Sequence, residues 1–152
     1  MSALYLGADP GATGALVAID DRGSWVDSIR LGKRTWADVL VWLGAKTHRT
    51  EMYCTLEKVG ASPQMGRTSA FNFGASYGRL QVALLASGVS VAEVSPAKWQ
   101  RLMGVPRAKG KGQPAHKRVL RGIAEARFPG RVKTADLADA ALLAEFCRQV
   151  RG

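Results

Sequence analysis

The chain has 152 residues, 47% of them apolar, and a net charge of +10 from 22 Lys and Arg against 12 Asp and Glu. That length suits one domain over residues 1–152 with a single core and one cleft, and no apolar run approaches the roughly 20 residues that cross a bilayer. Met1 to Ala8 lacks the basic start and long apolar stretch of a signal peptide, so a soluble, cytoplasmic protein is expected. Cys54 and Cys147 have no metal-ligand spacing and read as reduced core thiols.

In chain order, LYLGADP is a short apolar run closed by Asp-Pro-Gly, and GALVAID follows at once, so the two read as hairpin-linked strands. Ser24 to Leu31 completes a meander. Thr35 then precedes Trp36, Val39, Leu40 and Leu43, the apolar face of a helix that Thr35 caps and that ends near Lys46. Met52 to Val59 is a compact strand carrying Glu57 near its end. The stretch GASPQMGRTSAFNFGASYG has no firm period until Tyr77 and reads as a loop running into a second helix, Phe71 to Ser87 at its fullest. Val89 to Val94 is a further strand, and Pro96 starts a short helix containing Trp99. Gly, Pro and bases over Arg107 to Pro114 predict a mobile basic loop. His116 to Phe128 and Ala135 to Arg148 are the last two helices, the latter with Leu137, Ala141, Leu142 and Phe146 facing inward. A three-strand meander followed by alternating helices and strands makes a mixed α/β sheet with helices on both faces.

The charge is unevenly placed. Between Lys58 and Ala124 one acid, Glu93, stands against eleven bases: Lys58, Arg67, Arg79, Lys98, Arg101, Arg107, Lys109, Lys111, Lys117, Arg118 and Arg121. A solubility-giving face normally mixes signs because like charges repel, so this bias points to a polyanion, above all nucleic acid.

Four acids sit in apolar surroundings, where an unpaired carboxylate is costly. Asp9 ends the first strand, Glu57 ends the fourth, and Asp136 and Asp139 are three apart on one face of the last helix. If the first and fourth strands are neighbours and the last helix crosses their ends, the four carboxylates converge. Their repulsion then calls for divalent cations, and hard oxygen ligands select Mg²⁺ or Mn²⁺. Two such ions per site activate a water and stabilise the leaving oxygen of a phosphodiester. Each acid alone has a plainer reading: Asp9 as a turn former, Glu57 paired with Lys58 or Arg79, Asp136 at the helix N-terminus behind Thr134. Asp139, between Ala138 and Ala140, has none as simple.

These residues resemble the RuvC-like Holliday junction resolvases, especially their phage-encoded members. LGADPGATGALVAI is similar to the family's first strand, TLEKV to the strand bearing its Glu, and DLADAALLAEF to its terminal Asp-x-x-Asp-Ala helix, three motifs in the family's order. PQMGRTSAFNFGASYGRL and SPAKWQRLMG resemble the intervening segments of phage members. GKGQPAHKRV resembles the Gly-x-Gly and Ala-x-Lys run, with a one-residue insertion at Pro114 and a changed residue before Val119.

The resemblance implies an RNase H-like fold, a homodimer, no nucleotide cofactor, and symmetric nicks across a four-way DNA junction in a bacterium or a phage's bacterial host. Asp9, Glu57, Asp136 and Asp139 take the metal-ligand roles and Lys117 a phosphate or transition-state contact. Expected DNA contacts are Arg67, Lys98, Arg101, Arg107, Lys109, Lys111, His116, Lys117 and Arg118. Bacterial members carry a junction-wedging aromatic three residues after the catalytic Glu, where this chain has Gly60. Phe71, Phe73 and Tyr77 remain for stacking on bases or for core packing. The second helix offers a partner surface through small residues and Leu80, Leu84 and Leu85, unless these pack internally. Rival readings are a sugar-kinase or actin-like phosphotransferase, for which the chain is too short, a non-catalytic DNA-binding module, and another RNase H-like nuclease.

Overall fold

Leu4–Asp9 (β1) and Ala15–Ile19 (β2) pair antiparallel with Tyr5 opposite Ile19 and Asp9 opposite Ala15. The turn between them is tight: Gly14 N–H donates to Gly11 O at 3.2 Å, and a Cβ on Gly14 would collide with the carbonyl oxygen of Asp9. Trp25–Arg30 (β3) continues the meander, with Arg30 opposite Ala15. Trp36–Thr47 (α1) opens on a reciprocal cap, in which Thr35 Oγ1 accepts from Asp38 N–H and Asp38 Oδ2 accepts from Thr35 N–H. The chain then returns as Met52–Glu57 (β4), parallel to β1 on its free side. Arg67–Ala86 (α2) leads to Ser90–Val94 (β5), parallel to β4, and Pro96–Leu102 (α3), Gln113–Arg127 (α4) and Ala135–Arg151 (α5) follow. The computed structural model describes residues 2–32, 34–48, 50–107 and 113–152.

The five strands form one sheet in the order β3-β2-β1-β4-β5, the expected mixed sheet with β1 at its centre. Alternation along each strand divides the core in two. Leu6, Ala8, Leu16, Ala18, Cys54 and Leu56 pack beneath α1 and α2, against Val39, Leu43, Leu80 and Leu84. Tyr5, Ala15, Val17 and Ile19 face the other way, against α5 and buried residues of α3 and α4 such as Trp99 and Leu120. Both cysteines are buried and free. No helix among the described residues is long and apolar enough to cross a membrane.

Gly7 sets how closely α5 approaches. A Cβ there would fall inside the envelopes of Ala140 O and Ala144 N and 2.8 Å from the Leu143 carbonyl carbon, so helix backbone lies directly on strand backbone. Farther along α5, Glu145 is 1% exposed yet charged. Arg127 Nη2 of α4 and Arg148 Nη2 each donate to its Oε1 at 2.6 Å, Gln149 Nε2 donates at 3.0 Å, and Arg148 Nε reaches Oε2 at 2.9 Å. Burial would push this carboxyl up, but the donors from Arg148, Gln149 and Arg127 outweigh it and hold it at about 2.

The structure corrects the sequence reading in three places. Helix α2 begins at Arg67, well before Tyr77, because Ser69, Ala70, Gly74, Ala75 and Gly78 are too small to print an apolar stripe. Leu80 and Leu84 are fully buried under the sheet and are not partner surface, whereas Leu85 is exposed. Gln113 and Pro114 belong to the first turn of α4, where the fixed φ of proline suits a helix start, not to the basic loop. Residues 108–112 of that predicted loop, Lys109 and Lys111 among them, lie outside the described residues.

Gly7→Ala is expected to lower stability in urea unfolding by about 2–3 kcal/mol or more, because no side chain is free to yield; an unchanged midpoint would contradict the contact. Glu145→Gln is expected to cost about 2–3 kcal/mol near pH 7. The Glu145 carboxyl is depressed on folding, so its stabilisation is present above about pH 4.5 and is lost as pH falls toward about 2. Thermal unfolding of wild type and variant should therefore converge across that window.

Candidate active site

Asp9 and Glu57 end neighbouring parallel strands, and period two puts both on the sheet face that carries α5. Helix α5 runs antiparallel to β1, with Ala140 and Ala144 over Gly7 and its C-terminal Gly152 near Tyr5. Asp9 lies two residues beyond Gly7, about 6.7 Å along the strand. Along the helix axis Asp139 lies about 1.5 Å and Asp136 about 6 Å before Ala140, the first residue of the contact. The two displacements point the same way, so the helix delivers both acids to the end of β1. Thr134 starts α5 by accepting from Leu137 N–H, and Asp136 sits in the first turn, where a negative charge complements the free N–H groups.

Electrostatics confirm that the acids sense one another. Burial pushes the Asp9 carboxyl up to about 8, reinforced by the charges of Asp139, Glu57 and Asp136 and opposed by Lys117. Asp139 is raised to about 7 by burial and by Glu57, with Lys117 opposing. Glu57, 9% exposed, is raised by burial and held back by a hydrogen bond from Trp99 Nε1 at 2.6 Å. Glu57 therefore does not make the surface pair with Lys58 or Arg79 that the sequence left open. Asp136 is bridged by Arg30 Nε at 2.9 Å. Asp9 and Asp139, both half-buried, accept no side-chain hydrogen bond among the described residues, and the Lys117 charge acts against their mutual repulsion.

The donor set is all carboxylate oxygen, as hard divalent cations require. Among the described residues no three His, Cys, Asp or Glu side chains are grouped closely enough to hold a metal ion as they stand.

Of the bases, Lys117 is coupled to the acids, whereas Lys98 and Arg101 line a groove with Phe146 and Val150 in the C-terminal half of α5. Lys117 and Arg118 are exposed on α4, Lys98 and Arg101 on α3, Arg107 just after it, and Arg67 at the start of α2. His116 is half-buried, its Nε2 hydrogen-bonded with Gln100 Oε1 of α3 at 3.1 Å, which ties α4 to α3. Phe71 is 76% exposed on α2. Phe73 is half-buried, stacked on Tyr77 and close to Gly11 of the β1–β2 turn. Tyr77 in turn donates to Glu93 Oε1 of β5 at 2.6 Å, a structural use of that ring. Sequence reasoning missed Trp99 and Arg30 as partners of the acids. Arg30 had a signal in retrospect, since it shares a register row with Ala15 and Asp9.

No protein-family model matches the chain, and no curated protein matches it by sequence. Solved structures do. The chain is similar to Thermus thermophilus RuvC in complex with Holliday junction substrate, with a TM-score of 0.62 and 18% identity over 99% of this chain and 95% of that one. A second Thermus thermophilus RuvC structure matches with a TM-score of 0.56 and 16% identity, covering 96% and 92%. At these identities the likeness carries the fold: a RuvC-type, RNase H-like mixed sheet.

In cation-free buffer with chelator, Asp9→Asn is expected to raise stability at pH 8 by about 2 kcal/mol. The wild-type Asp9 carboxyl is raised on folding, so the folded state binds the extra proton between about pH 4 and 8 and loses stability as pH rises through that range. The variant should flatten that slope in thermal unfolding, and equal slopes would remove Asp9 from the repelling cluster.

Proposed function

We propose that residues 1–152 form a single nuclease domain of the phage-type RuvC-like class. It resolves four-way DNA junctions by paired, symmetric phosphodiester nicks and acts as a homodimer. The observation that carries this reading is the convergence of Asp9, Glu57, Asp136 and Asp139 at one end of a fold shared with a RuvC solved on a Holliday junction substrate. Buried carboxylates that raise one another's pKa, with one lysine nearby, are better explained by cation binding than by stability, which they oppose.

Asp9, Glu57, Asp136 and Asp139 would hold two Mg²⁺ or Mn²⁺ ions, which when bound supply positive charge to the scissile phosphate and make a water nucleophilic at neutral pH. The chain's own contribution is placement. Arg30 holds Asp136, Trp99 holds Glu57, and the Gly7 contact fixes Asp139 against Asp9. Lys117 brings an ammonium within the field of Asp9 and Asp139, where it contacts a phosphate oxygen beside the reacting one. Lys98, Arg101, Arg107, Arg118 and Arg67 take the flanking backbone, with Lys109 and Lys111 as further contacts. Phe71, the most exposed large apolar side chain, stacks on an unpaired base at the junction's branch point.

Dimerisation has a surface to use. Trp36 and Leu40 of α1 and Gly74, Gly78, Val82 and Ala86 of α2 line an apolar groove of about 520 Å³. Exposed Val41, Val82 and Leu85 flank it. The spacing of Gly74, Gly78, Val82 and Ala86 keeps one ridge of α2 low, which lets a symmetric copy approach, and a twofold pair supplies the two opposed cuts a symmetric junction needs.

The test is incubation with a synthetic four-way junction and with matched linear duplex, with and without Mg²⁺. Wild type should cut only the junction, only with the ion, at two symmetric positions. Asp139→Asn should bind the junction at least as tightly without cutting it, and mixed wild-type and variant dimers should leave single nicks. Equal cutting of duplex would remove junction selectivity. Junction binding without any cleavage would reduce the protein to a DNA-binding module, and cutting confined to RNA–DNA hybrid would assign it to another RNase H-like nuclease class.

A further inference from the structure

Trp99 is the largest fully buried side chain, at 0% exposure, on the seven-residue helix α3. A buried indole N–H needs an acceptor, and leaving it without one costs about 1–3 kcal/mol. Backbone carbonyls are the usual solution; here the acceptor is Glu57 Oε2 at 2.6 Å, the one side-chain hydrogen bond that Glu57 accepts among the described residues. The donor is itself immobilised. Ser95 Oγ accepts from Lys98 N–H at the start of α3, Pro96 fixes the first turn, and the ring packs with Val94, Met103 and Val105 in the α5-side core. Lys58 N–H donates to Val94 O at 2.7 Å, which locks the end of β4 beside Glu57 to the strand that leads into α3.

We propose that Trp99 is a positioning residue: its indole N–H pins Oε2 of Glu57 and leaves Oε1 as the atom that ligates a divalent cation. A carboxylate on a strand end has two torsions beyond its Cβ, and a single fixed donor removes most of that freedom before any ion arrives. The same short helix places Gln100 against His116 of α4, next to Lys117, so α3 braces both the acid on β4 and the base on α4 from one side. This inference rests on the metal site proposed above and deepens it.

Two replacements separate the N–H from the bulk of the ring. Trp99→Phe removes both, and 3-benzothienylalanine incorporated at position 99 keeps the bicyclic shape while sulfur takes the place of the N–H. Mn²⁺ binding to the DNA-free protein is read from the free-ion electron paramagnetic resonance signal, with thermal unfolding in chelator as the check on folding. The benzothienyl protein should unfold within a few degrees of wild type and bind Mn²⁺ about tenfold more weakly. Junction affinity in chelator should not change. In a Glu57→Ala background, loss of the indole N–H should weaken Mn²⁺ no further. Should Trp99→Phe fail to fold, the benzothienyl protein decides. Wild-type Mn²⁺ affinity in the folded benzothienyl protein, or a tenfold loss that persists without Glu57, overturns the inference while leaving the metal site standing. A wild-type protein that binds no Mn²⁺ overturns both.

Discussion

Everything at the acidic end depends on the absence of a side chain at Gly7. Because α5 backbone rests directly on β1 there, the helix sits lower over the sheet than its own side chains would otherwise permit. Ala140, Ala141 and Ala144 on the facing stretch are small for the same reason and are fully buried. A residue with a Cβ at position 7 would lift the helix as a body, and Asp136 and Asp139 would rise with it away from Asp9. The turn after β1 obeys a second exclusion of the same kind, since Gly14 folds back on the carbonyl of Asp9 and fixes the strand's end. The strand and helix ends are thus set by backbone contacts in the middle of the protein, and Arg30 and Trp99 then hold Asp136 and Glu57 individually.

Helix α5 carries its own control for this argument. Glu145 is buried and Asp139 half-buried on one helix, and they are displaced in opposite directions, one to about 2 and the other to about 7. Burial acts the same way on each. The difference is partners: Glu145 accepts from Arg127, Arg148 and Gln149, whereas Asp139 accepts from no side chain among the described residues and faces Glu57 and Asp136. A structural acid is surrounded by donors that stabilise its charge. An acid left in opposition to its neighbours weakens the fold.

How much of this was legible in the sequence follows from which forces act locally. The elements that carry the four acids could be read because each is set by a short-range pattern: a strand end before Asp-Pro-Gly, a strand end in TLEKV, and an alanine-rich helix with an i, i+3 pair. The order of elements was legible for the same reason. Helix α2 was blurred at its start because glycine, serine and alanine bury little and carry no period, and Leu80 and Leu84 looked available because nothing in their own helix says which side the sheet covers. Trp99 against Glu57, Arg30 against Asp136, and Glu145 against Arg127 are separated by 42, 106 and 18 residues. Only strand register and helix packing bring such pairs together, so no local pattern announces them.

The distribution of charge completes the physical picture. A polyanion approaching a cluster of four carboxylates meets repulsion, yet the chain as a whole carries +10. Exposed bases stand on α3, α4 and the start of α2, while the acids are half-buried or buried at the strand ends and the start of α5. Among these bases only Lys117 reaches far enough in to offset Asp9 and Asp139. Opposite charges therefore reside in different layers of the molecule: long basic side chains stand outside, and short carboxylates lie at the strand ends and the start of α5. A cleft that lined its walls with lysine would neutralise its acids and bind anions without needing a cation. By keeping the other bases outside and admitting one ammonium, that of Lys117 among the described residues, this one stays electronegative at its floor.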